Sequence, residues 1–155
     1  MKIKNHVIII TVLLLTISLF LSGCNDQETT NQPSNTPNLI LDTFNNKTCS
    51  HTNSTTFTLN TTTNITRITL WYHWSKYETT LSYKIYENTN TELMNGTLKR
   101  EGNCNPKESI WCNATTTLNE TFQPGTYQLL VPNNQMGMNS ESNYQGFIKI
   151  YGIKA

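Results

Sequence analysis

The chain predicts an all-β domain, an antiparallel β-sandwich of about eight strands with jelly-roll or immunoglobulin-like topology. Three observations lead there. Apolar and polar residues alternate in short runs, most regularly from Ile65 to Trp74. Turn residues recur roughly every 8–15 positions. Beyond the first 38 residues, no window repeats its apolar residues at helical spacing for more than a turn.

The elements follow in order. Leu39-Ile40-Leu41 reads as a first strand, and Thr55 to Leu59 as a second with Phe57 and Leu59 on one face. In the Ile65–Trp74 run, Ile68, Leu70, Tyr72 and Trp74 fall on one side and Thr69, Trp71 and His73 on the other. Leu81, Tyr83 and Ile85 repeat the alternation, and Asn88 to Asn90 reads as a turn. Leu93 to Lys99 is a strand weakened by Asn95-Gly96, a pair suited to a tight hairpin turn. Ser109 to Leu118 is a strand carrying Trp111. Pro124-Gly125 is a turn, Thr126 to Val131 a strand stopped by Pro132, and Phe147 to Ile153 the last strand.

The N-terminus carries a different signal. Lys2, Lys4 and His6 precede an apolar run from Val7 to Leu21 that ends on Leu21-Ser22-Gly23-Cys24. A charged head, an apolar stretch of about fifteen residues and a small-residue exit are the parts of a secretory signal. Spanning a bilayer needs roughly twenty apolar residues, so the run is short for an anchor. Its ending resembles the lipobox of prokaryotic lipoproteins, which implies a diacylglycerol on the Cys24 thiol and cleavage just before it. Residues 1–23 are then a signal peptide. Residues 24–38, rich in Gln, Thr, Asn, Ser and Pro, read as a flexible tether. Residues 39–155 form the β domain. The expected location is the extracytoplasmic face of the cell membrane, with the lipid on Cys24 as the membrane contact.

Composition excludes several functions. After residue 23 the chain holds nine Lys and Arg against ten Asp and Glu, without a basic stripe, so nucleic acid is not an expected partner. Only Asp26 and Asp42 represent aspartate, and the glutamates are scattered. Neither a calcium loop nor a hydrolytic carboxylate pair is thereby suggested. Seven Asn-x-Ser/Thr sequons occur, where chance in so Asn- and Thr-rich a chain gives about five; they permit glycosylation and no more.

With Cys24 assigned to lipid, Cys49, Cys104 and Cys112 remain. A Cys104–Cys112 disulfide across a short loop is the first expectation in an oxidising compartment, and pairing of Cys49 with either is the second. No Cys-x-x-Cys pair stands in the chain, so neither a metal site nor a cofactor is expected.

Several segments resemble, in order, a small exported β-sandwich domain of bacterial and archaeal surface proteins. They are Ile65-Thr66-Arg67-Ile68, Trp71-Tyr72-His73-Trp74, Pro124-Gly125-Thr126-Tyr127, Asn139-Ser140-Glu141-Ser142 and Gly146-Phe147-Ile148-Lys149-Ile150-Tyr151-Gly152. The resemblance spans about residues 57–152 and implies fold and location rather than a reaction. Where that pattern has an acid and a tryptophan in one loop, this chain has Pro132 to Met138 with neither.

The candidate functional residues are aromatic. Tyr72 and Trp74 share a face with Ile68 and Leu70 and are expected in the core. Trp71, His73 and Trp111 are the candidate ligand platform, for a surface glycan or a protein. His51 lies in a Ser/Thr/Asn-rich stretch read as an exposed loop, and the segment 132–145 as a long connection. No Gly-x-Ser-x-Gly stands in the chain, and no acid has a motif-like relation to His73. The expected function is therefore non-catalytic binding or scaffolding on the cell surface. The alternatives are a carbohydrate-binding module built on Trp71 and Trp111, and an exported hydrolase using His73.

Overall fold

Ten antiparallel strands and one 3₁₀ turn make up the described part of the chain, and they join into a single sheet nearly closed into a barrel. The computed structural model describes residues 36–155 apart from Asn46, Thr48 and Thr89. The signal sequence, Cys24 and most of the tether lie outside the described residues.

The strands are β1 (Asn38–Asp42), β2 (Ser50–Thr52), β3 (Ser54–Leu59), β4 (Thr63–Trp74) and β5 (Thr80–Glu87), followed by β6 (Thr91–Arg100), β7 (Ile110–Phe122), β8 (Gly125–Leu130), β9 (Met136–Met138) and β10 (Ile148–Lys154). The 3₁₀ turn spans Ser140–Ser142. Their order across the sheet is β1-β10-β4-β7-β6-β5-β8-β3, with β9 bridging β2 and β4. Strand β10, late in the chain, thus lies between two early strands.

Two seams divide the sheet. Strands β6 and β7 pair only at Lys99↔Thr115 and Arg100↔Ala114, then diverge. At the opposite seam β3 meets the approach to β10 through single bonds. Gly146 N–H donates to Ser54 O at 3.2 Å, and Thr56 N–H donates to Gln145 Oε1 at 2.8 Å. The Gly146 carbonyl accepts from the hydroxyls of Thr55 at 2.9 Å and Thr43 at 3.2 Å. Gly146 permits this closeness, because a Cβ there would stand 2.5 Å from Met136 Sδ.

The core lies inside this nearly closed sheet. In β4 the inward residues Ile68, Leu70, Tyr72 and Trp74 are wholly buried. They meet Leu81, Tyr83 and Ile85 of β5, Tyr127 and Leu129 of β8, and Ile148 and Ile150 of β10. Period-two alternation puts mainly aliphatic and aromatic side chains on this face, with Thr55 and Thr63 also buried.

Strand-level differences from the sequence reading have local causes. Asn95-Gly96 is no hairpin; β6 runs straight through it. Gly96 is small because the Tyr83 ring crosses it, 2.8 Å from where a Cβ would stand. His51 is in β2, not a loop, and the 132–145 connection contains β9 and the 3₁₀ turn. There Asn139 caps the turn, its side chain accepting from Ser142 N–H at 3.1 Å. Asn139 also exchanges two side-chain hydrogen bonds with Asn45, at 3.1 and 2.7 Å. The Asn-Ser-Glu-Ser motif is therefore a structural clasp. Pro124-Gly125-Thr126-Tyr127 is another, since the Tyr127 hydroxyl donates to Gln123 O at 2.7 Å in the manner of a tyrosine corner.

The β6–β7 connection is cross-linked by a Cys104–Cys112 disulfide, with Cα atoms 6.4 Å apart, and Cys49 is free. Beside the bridge, buried Arg100 donates to four main-chain carbonyls. They are Ser75 O at 3.4 Å, Glu78 O at 3.3 Å, Asn105 O at 2.6 Å and Glu108 O at 3.0 Å. Tyr77, in the left-handed region at φ 67°, is held there by its N–H bond to Pro106 O at 2.7 Å. Together these bonds join the β4–β5 turn to the disulfide loop.

Candidate functional site

The outer face of β4 carries Arg67, Thr69, Trp71 and His73, opposite the buried residues named above. Register sets what lies beside them. In β7, Trp111 faces His73, Asn113 faces Trp71 and Thr115 faces Thr69. In β10, Lys149 faces Thr69 and Tyr151 faces Arg67. From the edge, β1 brings Asp42 opposite Lys149, and the chain after it lays Phe44 over the same region.

These residues form a row of rings. Trp71 and Trp111 are stacked, with planes 8° from parallel and centroids 6.3 Å apart. His51 continues the row, 5.0 Å from Trp111, and His73 lies 5.1 Å from Trp111 and 6.0 Å from His51. At the other end Phe44 meets Trp71 at 6.4 Å, edge on, and buried Phe147 at 6.1 Å. Gly137 of β9 lets the row pack onto the sheet, as a Cβ there would stand 3.0 Å from both Trp71 and Phe147. Trp71, His73 and Trp111 are half-buried, and His51 is exposed.

Two adjoining depressions, about 380 and 360 Å³, share Phe44, Trp71 and Lys149 and make one groove beside this row. Its floor is Thr69, Asn113 and Thr115. Glu101 stands in it with both oxygens engaged, by Asn113 Nδ2 at 3.1 Å and Thr115 Oγ1 at 3.1 Å. Lys149 Nζ is 3.3 Å from an Asp42 carboxylate oxygen and 4.8 Å from the Phe44 ring centroid. Arg67 lies flat over Tyr151, its guanidinium carbon 3.8 Å from the ring centroid. A further depression of about 260 Å³ opens where β6 and β7 part, lined by Leu93, Met94, Phe122 and two carboxylates, Glu87 and Glu120.

Among the described residues neither the His51 nor the His73 imidazole hydrogen-bonds to a carboxylate or hydroxyl, so His73 stands among rings. Burial raises the pKa of the Cys49 thiol, which favours its protonated, weakly nucleophilic form. Among the described residues no three His, Cys, Asp or Glu side chains converge on a metal position. No helix of the described residues is long and apolar enough to cross a membrane.

The structure brings together the three residues singled out from sequence, Trp71, His73 and Trp111. It sets Cys104 and Cys112 apart from them in function, as a loop staple. It adds Phe44, His51, Arg67, Glu101, Asn113 and Lys149, which single-strand patterns do not reveal because they come from six different segments brought together by the sheet. Comparison with protein-family models, with curated proteins and with solved structures found no match to this chain.

Proposed function

We propose that this chain is an exported lipoprotein, anchored through Cys24 at the extracytoplasmic face of the membrane, whose β domain is a non-catalytic binding module for glycans. The observation that carries the reading is the stacked pair Trp71 and Trp111, half-buried on an outer sheet face beside a polar groove. An outer face has no packing need for two indoles, whereas flat apolar rings next to hydroxyl, amide and carboxylate groups suit the mixed surface of a sugar. We read the two halves of the sheet, β1-β10-β4-β7 and β6-β5-β8-β3, as the layers of a sandwich, with the groove on the first. The Leu-Ser-Gly-Cys ending and the polar stretch behind it support the anchored location.

The test is a titration of intrinsic tryptophan fluorescence against a panel of oligosaccharides. Saturable quenching that is lost in Trp71→Ala supports the module. No response to any saccharide overturns it. Intact mass of the membrane-extracted protein tests the anchor, and an unmodified Cys24 or a retained Met1 overturns that part.

A further inference from the structure

We infer that the groove beside Trp71 takes a carboxylated glycan, with a sugar carboxylate seated on Arg67. The inference rests on the glycan-binding reading and adds the ligand's charge. It follows from which polar groups of the groove are already engaged. Both Glu101 oxygens accept hydrogen bonds from Asn113 and Thr115. Lys149 has its counter-ion in Asp42. Arg67 alone among the groove's charged side chains has, among the described residues, neither an ion pair nor a hydrogen bond; its one close contact is the Tyr151 ring. Arg67 is an exposed residue on the groove's lining, and its five N–H donors meet no acceptor among the described residues.

The geometry suits a planar anion. A guanidinium fork matches a carboxylate with two parallel hydrogen bonds, and the Tyr151 ring beneath it restricts the side chain's motion. The acceptor the groove lacks is therefore one the ligand brings. Spacing sets a minimum size. Arg67 and Trp71 are four residues apart on one strand face, about 13 Å between Cα atoms at strand rise. One sugar unit cannot both stack on Trp71 and reach Arg67, so the ligand is an oligosaccharide whose acidic unit lies beyond the stacked one.

A short oligogalacturonate and its methyl ester separate charge from skeleton, since esterification removes the carboxylates and keeps the sugar chain. Both are titrated calorimetrically into the full-length protein and into Arg67→Gln, Arg67→Lys and Trp71→Ala, with near-ultraviolet circular dichroism confirming the fold of each. The acid form is expected to bind at least about tenfold tighter than the ester, as a bidentate charged hydrogen bond warrants. Arg67→Gln removes that difference. Arg67→Lys retains part of it. Equal affinity for the two saccharides, or an Arg67→Gln variant that still prefers the acid, overturns the assignment while leaving glycan binding intact. Failure of both saccharides and of the neutral panel overturns the glycan-binding reading itself.

Discussion

Arg100 Nη2 donates to Asn105 O at 2.6 Å, across the mouth of the loop that the Cys104–Cys112 disulfide closes. The same guanidinium bonds Ser75 O, Glu78 O and Glu108 O, so one buried cation is solvated by backbone carbonyls in place of a carboxylate. It also lies 5.8 Å from the ring centroid of buried Trp74. The aromatic row adjoins this corner, because Trp111 immediately precedes the bridging Cys112 near the start of β7.

Arg100→Met is expected to lower stability by about 3 kcal/mol. The replacement fills much of the volume but leaves partly buried carbonyls unpaired, at about 1–3 kcal/mol for each that water cannot reach. Thermal unfolding measures the loss, and limited proteolysis should cut near Asn105 sooner than in the parent. An unchanged melting temperature and cleavage rate would show that the carbonyl cage adds nothing.

Reduction of the disulfide is expected to cost about 2–3 kcal/mol, the chain-entropy value for so short a loop. The bridge spans a sequence separation of 8. Chemical denaturation with and without reductant gives the figure. The protein should remain folded when reduced, since the core strands do not depend on the loop.

Gly146→Ala is expected to destabilise by about 1–3 kcal/mol through overpacking. The added Cβ would meet Met136 Sδ at 2.5 Å, Met136 Cε at 2.6 Å and Ser54 O at 3.0 Å, and the last is backbone that cannot swing aside. Gly102→Ala is the control, with nothing within 4 Å of its Cβ. Equal stability of the two variants would contradict the packing at this seam.

Alkaline pH should unfold the domain. Burial raises the pKa of Tyr72, Tyr83 and Tyr127 above the ordinary value of 10.0. A raised folded-state pKa means that the stability linked to each tyrosine is fully present below the ordinary value. It is lost as pH climbs from there through the raised one. Melting temperature should therefore fall steeply beyond pH 10, with tyrosinate absorbance rising alongside unfolding and not ahead of it. The surface pair Lys84 and Glu92 adds a dependence at both ends of the pH scale. The hydrogen bond from Lys84 lowers the Glu92 pKa, so the contribution of Glu92 is present above the usual carboxylate range and lost as pH falls through its depressed value. The raised Lys84 value carries its contribution past the ordinary lysine range. Full ionisation of all three tyrosines in a still-folded protein would contradict their burial.

Much of the sheet was legible because its longest strands obey strict alternation. From Ile68 to Trp74 every second side chain has no exposure, a pattern that hydrophobicity alone carries. Strands β2 and β9 were not legible. At three residues each they hold no period, and they exist because His51 and Gly137 happen to come into register. Asn95-Gly96 misled for a related reason, since the glycine answers a tyrosine on the neighbouring strand and not a local turn. Arg100 was invisible as a core residue, because carbonyl partners leave no mark of residue type. The candidate platform was half legible. Trp71, His73 and Trp111 stand out by composition and phase, whereas the groove beside them needs β1, β7 and β10 laid in register on β4.

The position of β10 has a bearing on how the chain reaches its native state. Strand β1 has no neighbour in the sheet until residues 148–154 arrive, and the Thr43 and Thr55 hydroxyls wait for a carbonyl 103 and 91 residues downstream. Contacts that close such long loops are costly to form early and tend to form last. Until they do, β1, β3 and β4 each present a bare edge. Closure of these edges thereby depends on residues 148–154, and a chain interrupted before residue 148 would be inclined to pair with its own copies.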